Sequence, residues 1–153
     1  MKTNDSIIAT GTFNLQVYEN GALVHTISEH NLVVTLGHQN MAKLIGGDAA
    51  GKKIEKISIG TNGATPAAGD TALTDPFVKG ITSATYPDAQ SVLFSFDIGN
   101  LEANKDSQGN DRVIREFGLL NSDNVLCARK VRTGEIIKTD AIRLVGTWKL
   151  TFS

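Results

Sequence analysis

The chain is poor in the residues that staple, stiffen or strongly charge a small protein. It has one cysteine, Cys127, so no internal disulfide can form, and 153 residues must be held by a packed core. A chain of this size can bury roughly 68–70% of its unfolded surface, which is enough. Three prolines leave most strand-like runs uninterrupted. Aromatic residues make up 6% of the chain, with one Trp and two Tyr, too few for the stacking platforms that single-stranded nucleic acids use. Neither sign of charge dominates: 15 basic against 16 acidic residues give a net charge of −1, which argues against nucleic-acid binding. No apolar run approaches the roughly 20 residues of a membrane span. The start, polar Met1–Ser6 followed by Ile7-Ile8-Ala9, is too short in apolar residues for a signal-peptide core. The expectation is one domain, residues 1–153, made in a cytoplasm, with no membrane partner. Acidic residues outnumber basic ones before residue 105 and the reverse holds after it, so stacked subunits could present complementary faces.

What is present reads mainly as β-strand. From Ile142 to Phe152, Ile142, Leu144, Gly146, Trp148, Leu150 and Phe152 alternate with mostly polar residues, the period of a strand with one face on a core. This predicts a central strand. Phe13, Leu15 and Val17 lead into Asn20-Gly21, the strongest short hairpin signal, because both central residues of a type I′ turn need positive φ. The hairpin spans about Thr12–Ser28, and a two-residue loop sets Val17 opposite Val24 and Leu15 opposite Thr26. One helix is predicted at about Thr35–Ile45, capped by Thr35, with Met41, Leu44 and Ile45 as its apolar stripe and Gly46-Gly47 as its stop. Further strands are read around Ile54–Ile59, Phe77–Tyr86, Ser91–Gly99, Val113–Leu120, Val125–Val131 and Ile136-Ile137. The segment Gly60–Asp70 reads as a long ordered loop and Asn104–Asp111 as a solvated tip. With one helix and no βαβ alternation, the fold class is mainly β: a two-layer antiparallel sandwich of about eight strands.

Catalytic equipment is not evident. Gly46–Lys53 nearly spells a phosphate-binding loop, but Lys53 stands where a hydroxyl is needed, and the segment leaves a helix instead of entering one. His25, His30 and His38 lack the spacing of a metal site within one element. Asp97, Glu102 and Glu116 could in principle supply a glycosidase pair, but scattered carboxylates are ordinary. Cys127 lies in an apolar run without a partner base, so a buried hydrophobe is its expected role. The basic cluster Arg129-Lys130-Val131-Arg132 points alternately to two faces, as on a solvated edge strand or at a contact with an acidic subunit. Neither an enzyme nor a cofactor or metal is expected.

Several segments, in order, resemble a family of small bacteriophage virion proteins encoded among tail and tail-fibre genes. Asn31-Leu32-Val33-Val34 and Lys43–Asp48 resemble its opening. Ile57–Thr61 and Thr65-Pro66-Ala67-Ala68-Gly69-Asp70-Thr71-Ala72-Leu73 resemble its Gly-Thr and Pro-Ala-Ala-x-Asp-Thr-Ala-Leu signature. Ile114–Asn121 is similar to its Ile-x-Glu-Leu-Gly-Leu-Phe segment, with Phe117 and Leu120 differing conservatively. Cys127–Lys130, Ile137–Thr139 and Thr147–Phe152 are similar to its close. The resemblance implies a virion structural protein of the tail, baseplate or a fibre adaptor, assembled in the host cytoplasm. Its partners would be other virion proteins and further copies of itself, in a ring or trimer. The alternatives are a capsid decoration or head-fibre subunit, and a module binding host glycans. Candidate interface residues are Thr61, Asn62, Thr65 and Pro66 in the long loop, Tyr18 and Asn20 at the hairpin, and Arg129, Lys130 and Arg132. The hairpin, outside the resembling region, is a candidate attachment element.

Overall fold

The structure is a computed structural model that describes residues 9–153; the polar start and Ile7-Ile8 lie outside them. The protein is mainly β with one helix. Its strands are β1 (Ala9–Glu19), β2 (Ala22–Val33), β3 (Ile54–Gly60), β4 (Phe77–Gly80), β5 (Ser83–Thr85), β6 (Ser91–Ile98), β7 (Arg112–Asn121), β8 (Leu126–Lys138) and β9 (Ile142–Phe152), with α1 (Thr35–Gly46) after β2. They form a single antiparallel sheet in the order β4-β3-β7-β8-β2-β1-β9-β6-β5, curled so that its halves face each other. The two layers are thus parts of one sheet, and strands that change layers make the corners. β2 runs along β1 up to Asn31 and then pairs β8 through Leu32 and Val33. At the other corner the Ile81 N–H donates to the Glu55 carbonyl of β3, and the next N–H, Thr82, donates to Ser95 of β6. The single strand expected over Phe77–Tyr86 is therefore two short ones, on opposite edges of the sheet. In β8 the two expected strands are one, with Arg132–Glu135 looped out against Arg115.

The alternating C-terminal run is a central strand, between β1 and β6. Trp148 is fully buried and its indole N–H donates to Asn31 Oδ1 at 2.8 Å. Phe13 joins the layers: its ring centroid lies 4.7 Å from Phe117 of the facing half and 5.1 Å from Trp148, edge to face. Gly146 has to be glycine, since a Cβ there would fall 2.3 Å from the Phe96 ring.

The β1–β2 turn has positive φ at Asn20 (50°) and Gly21 (81°), as Asn-Gly predicts. The register does not continue from it. A bulge follows Tyr18–Leu23, so that Val17 faces His25 and Leu15 faces Ile27. The reason is burial. Without the extra residue Ile27 would share the solvent face, and with it Ile27 enters the core. The hairpin strands are the middle of the core, not an appendage, and only the tip projects.

The helix also differs from expectation. Val34 is its N-cap, Thr35 makes no side-chain cap, and Gly37 and Asn40 are its buried residues; of the expected stripe Met41 packs against the core, while Leu44 and Ile45 are exposed. Polar and backbone contacts hold it together with Met41 and Leu36. Gly37 lies against the Cys127 backbone, where a Cβ would come 2.1 Å from the carbonyl oxygen. Asn40 receives the Lys52 N–H and the Asn121 amide on its Oδ1 and donates to the Lys52 carbonyl. Gly47, at φ 73°, ends the helix as expected.

Candidate functional site

The best-built feature outside the core is the loop from Thr61 to Pro76, which joins β3 to β4. Two charges from neighbouring strands shape it from below. Glu116 on β7 lies beside Gly60 in register, and Arg129 on β8 lies beside Gly118. Both side chains are buried, at 0% and 2% exposure, and Arg129 Nε donates to Glu116 Oε2 at 2.8 Å. The other Glu116 oxygen accepts the N–H groups of Asn62 (3.1 Å) and Thr74 (2.7 Å), one near each end of the loop. The remaining Arg129 nitrogens reach Asp70 Oδ2 at 2.9 Å and the Asn62 carbonyl at 3.2 Å. Asp70 in turn accepts the Ala67 N–H, and that bond, with Arg129 beside it, holds its carboxyl below the ordinary range. A guanidinium fork supplies this many directed donors and an ammonium does not. Every partner is satisfied, which is the condition under which buried charge is tolerated.

The loop also closes a second apolar cluster, Leu73 with Val34, Leu120 and Leu126, on the outer face of its layer. Gly118 leaves room for it, since a Cβ would fall 2.8 Å from Leu126 and 3.2 Å from Leu73. At its far end Asp75 accepts the Ser107 N–H, and its carbonyl receives Arg112, whose other nitrogen bonds the Lys105 carbonyl. The loop and the Asn104–Arg112 tip are thereby one surface. Arg115 extends it by bonding the Thr61 carbonyl and pairing with Glu135.

The expected interface residues divide between two neighbourhoods. Asn62 and Thr65 are exposed and Thr61 and Pro66 half-buried, all on this surface. Tyr18 and Asn20 sit elsewhere, where the Asn20 N–H bonds the Ala141 carbonyl. The basic cluster straddles the end of the β2 pairing: Arg129 lies between β7 and β2, whereas from Lys130 on β8 has a free side, as on the expected edge strand. Arg129 is interior and spoken for, Lys130 pairs with Glu29, and Arg132 is half-buried in the looped-out segment. What the sequence reading missed is the role of Asp70 and Glu116. Both stand in the segments that carry the family resemblance, the only signal pointing to them.

The other reactive-looking groups are occupied or dispersed. Asp97 is paired with Arg143, and Glu102 with Lys79 and the Gly99 N–H; both carboxyls are held below their ordinary range by those donors. His25 and His30 lie exposed on β2 and His38 in the first turn of α1, and among the described residues no three metal-ligating side chains group together. Gly46–Lys53 runs from α1 into β3, the wrong order for cradling phosphate. Burial pushes the Cys127 thiol up to about 11. Among the described residues no helix is long and apolar enough to cross a membrane. Comparison with protein-family models, with curated proteins and with solved structures finds no match to this chain.

Proposed function

We propose that this chain is a bacteriophage virion structural protein, a tail, baseplate or fibre-adaptor component that works as a homo-oligomer through repeated contacts with other virion proteins. One observation supports this most. A buried pair, Arg129 and Glu116, with its hydrogen bonds met by the loop backbone and Asp70, fixes the shape of a polar loop that encloses no cleft of converging acids and bases. Burying Arg129 and Glu116 carries a desolvation cost of several kcal/mol per ion before pairing. A loop merely connecting two strands needs no such framework, whereas one presenting a fixed surface to a neighbour does. Symmetry then repeats a modest contact many times. The same surface would also serve a capsid-decoration or head-fibre subunit, and the particle fraction in which the protein is found separates these sites.

The test is copurification with intact phage particles on a density gradient, read by quantitative mass spectrometry. The protein should band with particles at a fixed stoichiometry. Replacing exposed Thr65 with Lys should abolish incorporation while leaving the urea midpoint of the isolated protein unchanged. Absence from particles overturns the reading. A glycan-binding role has one observation in its favour, Tyr86 at 79% exposure; a glycan array without hits removes it.

A further inference from the structure

The outer face of the half-sheet β2-β1-β9-β6 is uncharged over most of its extent. Along β1 it presents Thr12, Asn14, Gln16 and Tyr18, with Thr26 and Ser28 beside them on β2. Cross-strand pairing aligns the side chains in two rows over four strands: Ser28, Asn14, Thr147 and Ser95 in one, Thr26, Gln16, Val145 and Asp97 in the next. The face is concave there, a depression of about 520 Å³ with Asn14, Gln16 and Thr26 to one side of β9 and Ser95 and Asp97 to the other. Val145 also borders a second depression, of about 370 Å³, together with Tyr18 and Arg143. Small-molecule sites have volumes of this order. The Tyr18 hydroxyl donates to Gln16 Oε1 at 3.2 Å, which leaves the Gln16 NH₂ group to donate elsewhere. The charges of the face cancel: Arg143 holds Asp97 through Nε at 3.0 Å and a second nitrogen, and Lys149 is paired with Asp88.

This chemistry narrows what the face can hold. A second sheet packs through apolar side chains, and Val145 is the one aliphatic residue in the two rows. Nucleic acid is held by cations free to meet phosphate, and Arg143 and Lys149 are both paired. What the rows offer is amides and hydroxyls, groups that donate and accept at once. Sugar hydroxyls do the same, and the C–H face of a sugar ring lies against an aromatic ring such as that of Tyr18. We propose that this depression binds a neutral oligosaccharide, laid along β9 from Thr147 to the Tyr18 ring. Arg143 to Thr147 spans about 14 Å of strand, room for more than one sugar ring. Asn14, Gln16, Ser95 and Thr147 supply the hydrogen bonds, and the neutralised Asp97–Arg143 pair gives no net attraction to a ligand of either sign. The proposal gives the glycan-binding role a site of its own, since Tyr86 borders a different groove with Phe152, and it does not depend on the virion reading.

The test is an array of neutral, sialylated and sulfated oligosaccharides probed with the purified chain, followed by an amide-resolved NMR titration with the neutral oligosaccharide of highest signal. Binding should be confined to neutral members. The amides of Asn14, Gln16, Ser95 and Thr147 should shift on titration, while those of Ser91 and Phe152, beside Tyr86, stay in place. Gln16→Ala, at an exposed position, should weaken binding about tenfold. Thr147→Glu, which puts bulk and charge in the middle of the depression, should abolish it, and Tyr86→Ala should leave it unchanged. The titration of the wild type reads the site even where a variant fails to fold. An array without hits, a preference for charged members, shifts gathered around Tyr86, or full binding by Thr147→Glu overturns the proposal. So does a wild type that sediments as a dimer and is split by Thr147→Glu, which assigns the face to a second copy. Neutral-glycan binding by a protein that never joins particles leaves this site intact and counts against the virion reading. Incorporation of a protein with no array hits does the reverse.

Discussion

Arg129 is the residue on which most depends outside the aromatic core. Its guanidinium gathers Glu116, Asp70 and the Asn62 carbonyl into one cluster. Removing one partner of a buried ion pair leaves the other charged and dry, which costs about 3–5 kcal/mol. Arg129→Met should therefore lower the unfolding free energy by about that amount in urea titrations, and Arg129→Lys should recover little, lacking the planar fork. A loss of less than about 1 kcal/mol would mean that the loop stands without its network. Cys127 makes a contrasting case. At 2% exposure, with its thiol raised to about 11, it carries almost no thiolate near neutral pH. A thiol-reactive dye should leave the native protein unlabelled at pH 8 and label it stoichiometrically in denaturant. Rapid native labelling would place Cys127 at the surface.

Among the elements, those specified by neighbours in sequence were legible and those specified by topology were not. β9 and β6 show their alternation within eight to eleven residues, and Asn20-Gly21 encodes its own turn. The bulge after it is set by where Ile27 must go, a matter of the second layer. The corner at Ile81-Thr82 is equally silent, since a strand that changes partners keeps its composition. The loop framework joins residues 59 and 13 apart in the chain, which no local pattern connects. The helix shows how a plausible stripe misleads in part: Met41, Leu44 and Ile45 have the right spacing, but only Met41 packs on the core, and the buried docking residues are a glycine and an asparagine. Gly37→Ala should thus cost about 1–3 kcal/mol, as overpacking does, although alanine is the better helix former. Ile45→Glu, at a position 87% exposed, should stay within about 0.5 kcal/mol. Reversal of that order in thermal melts would show the helix docked by its apolar stripe.

For the molecule as a whole, the sheet and the segments draped over it depend on different forces. Apolar packing around Phe13, Trp148 and Phe117 holds the layers and is indifferent to acid. The covering segments are held by carboxylates accepting N–H groups: Asp70 from Ala67 with Arg129 beside it, Asp75 from Ser107, and Glu102 from Lys79 and Gly99. Each of these carboxyls has its proton affinity lowered in the folded state. Their contribution to stability is therefore fully present above the unfolded carboxylate range, about pH 4, and is lost as pH falls through the lower folded values. The loss should be regional. Hydrogen exchange followed from neutral pH down to about pH 3, corrected for the intrinsic rate, should show protection at Ala67, Gly99 and Ser107 collapsing while the amides of β9 stay protected. If loop and core lose protection together, the segments and the sheet are one cooperative unit, and the charge network is not what fixes the loop surface.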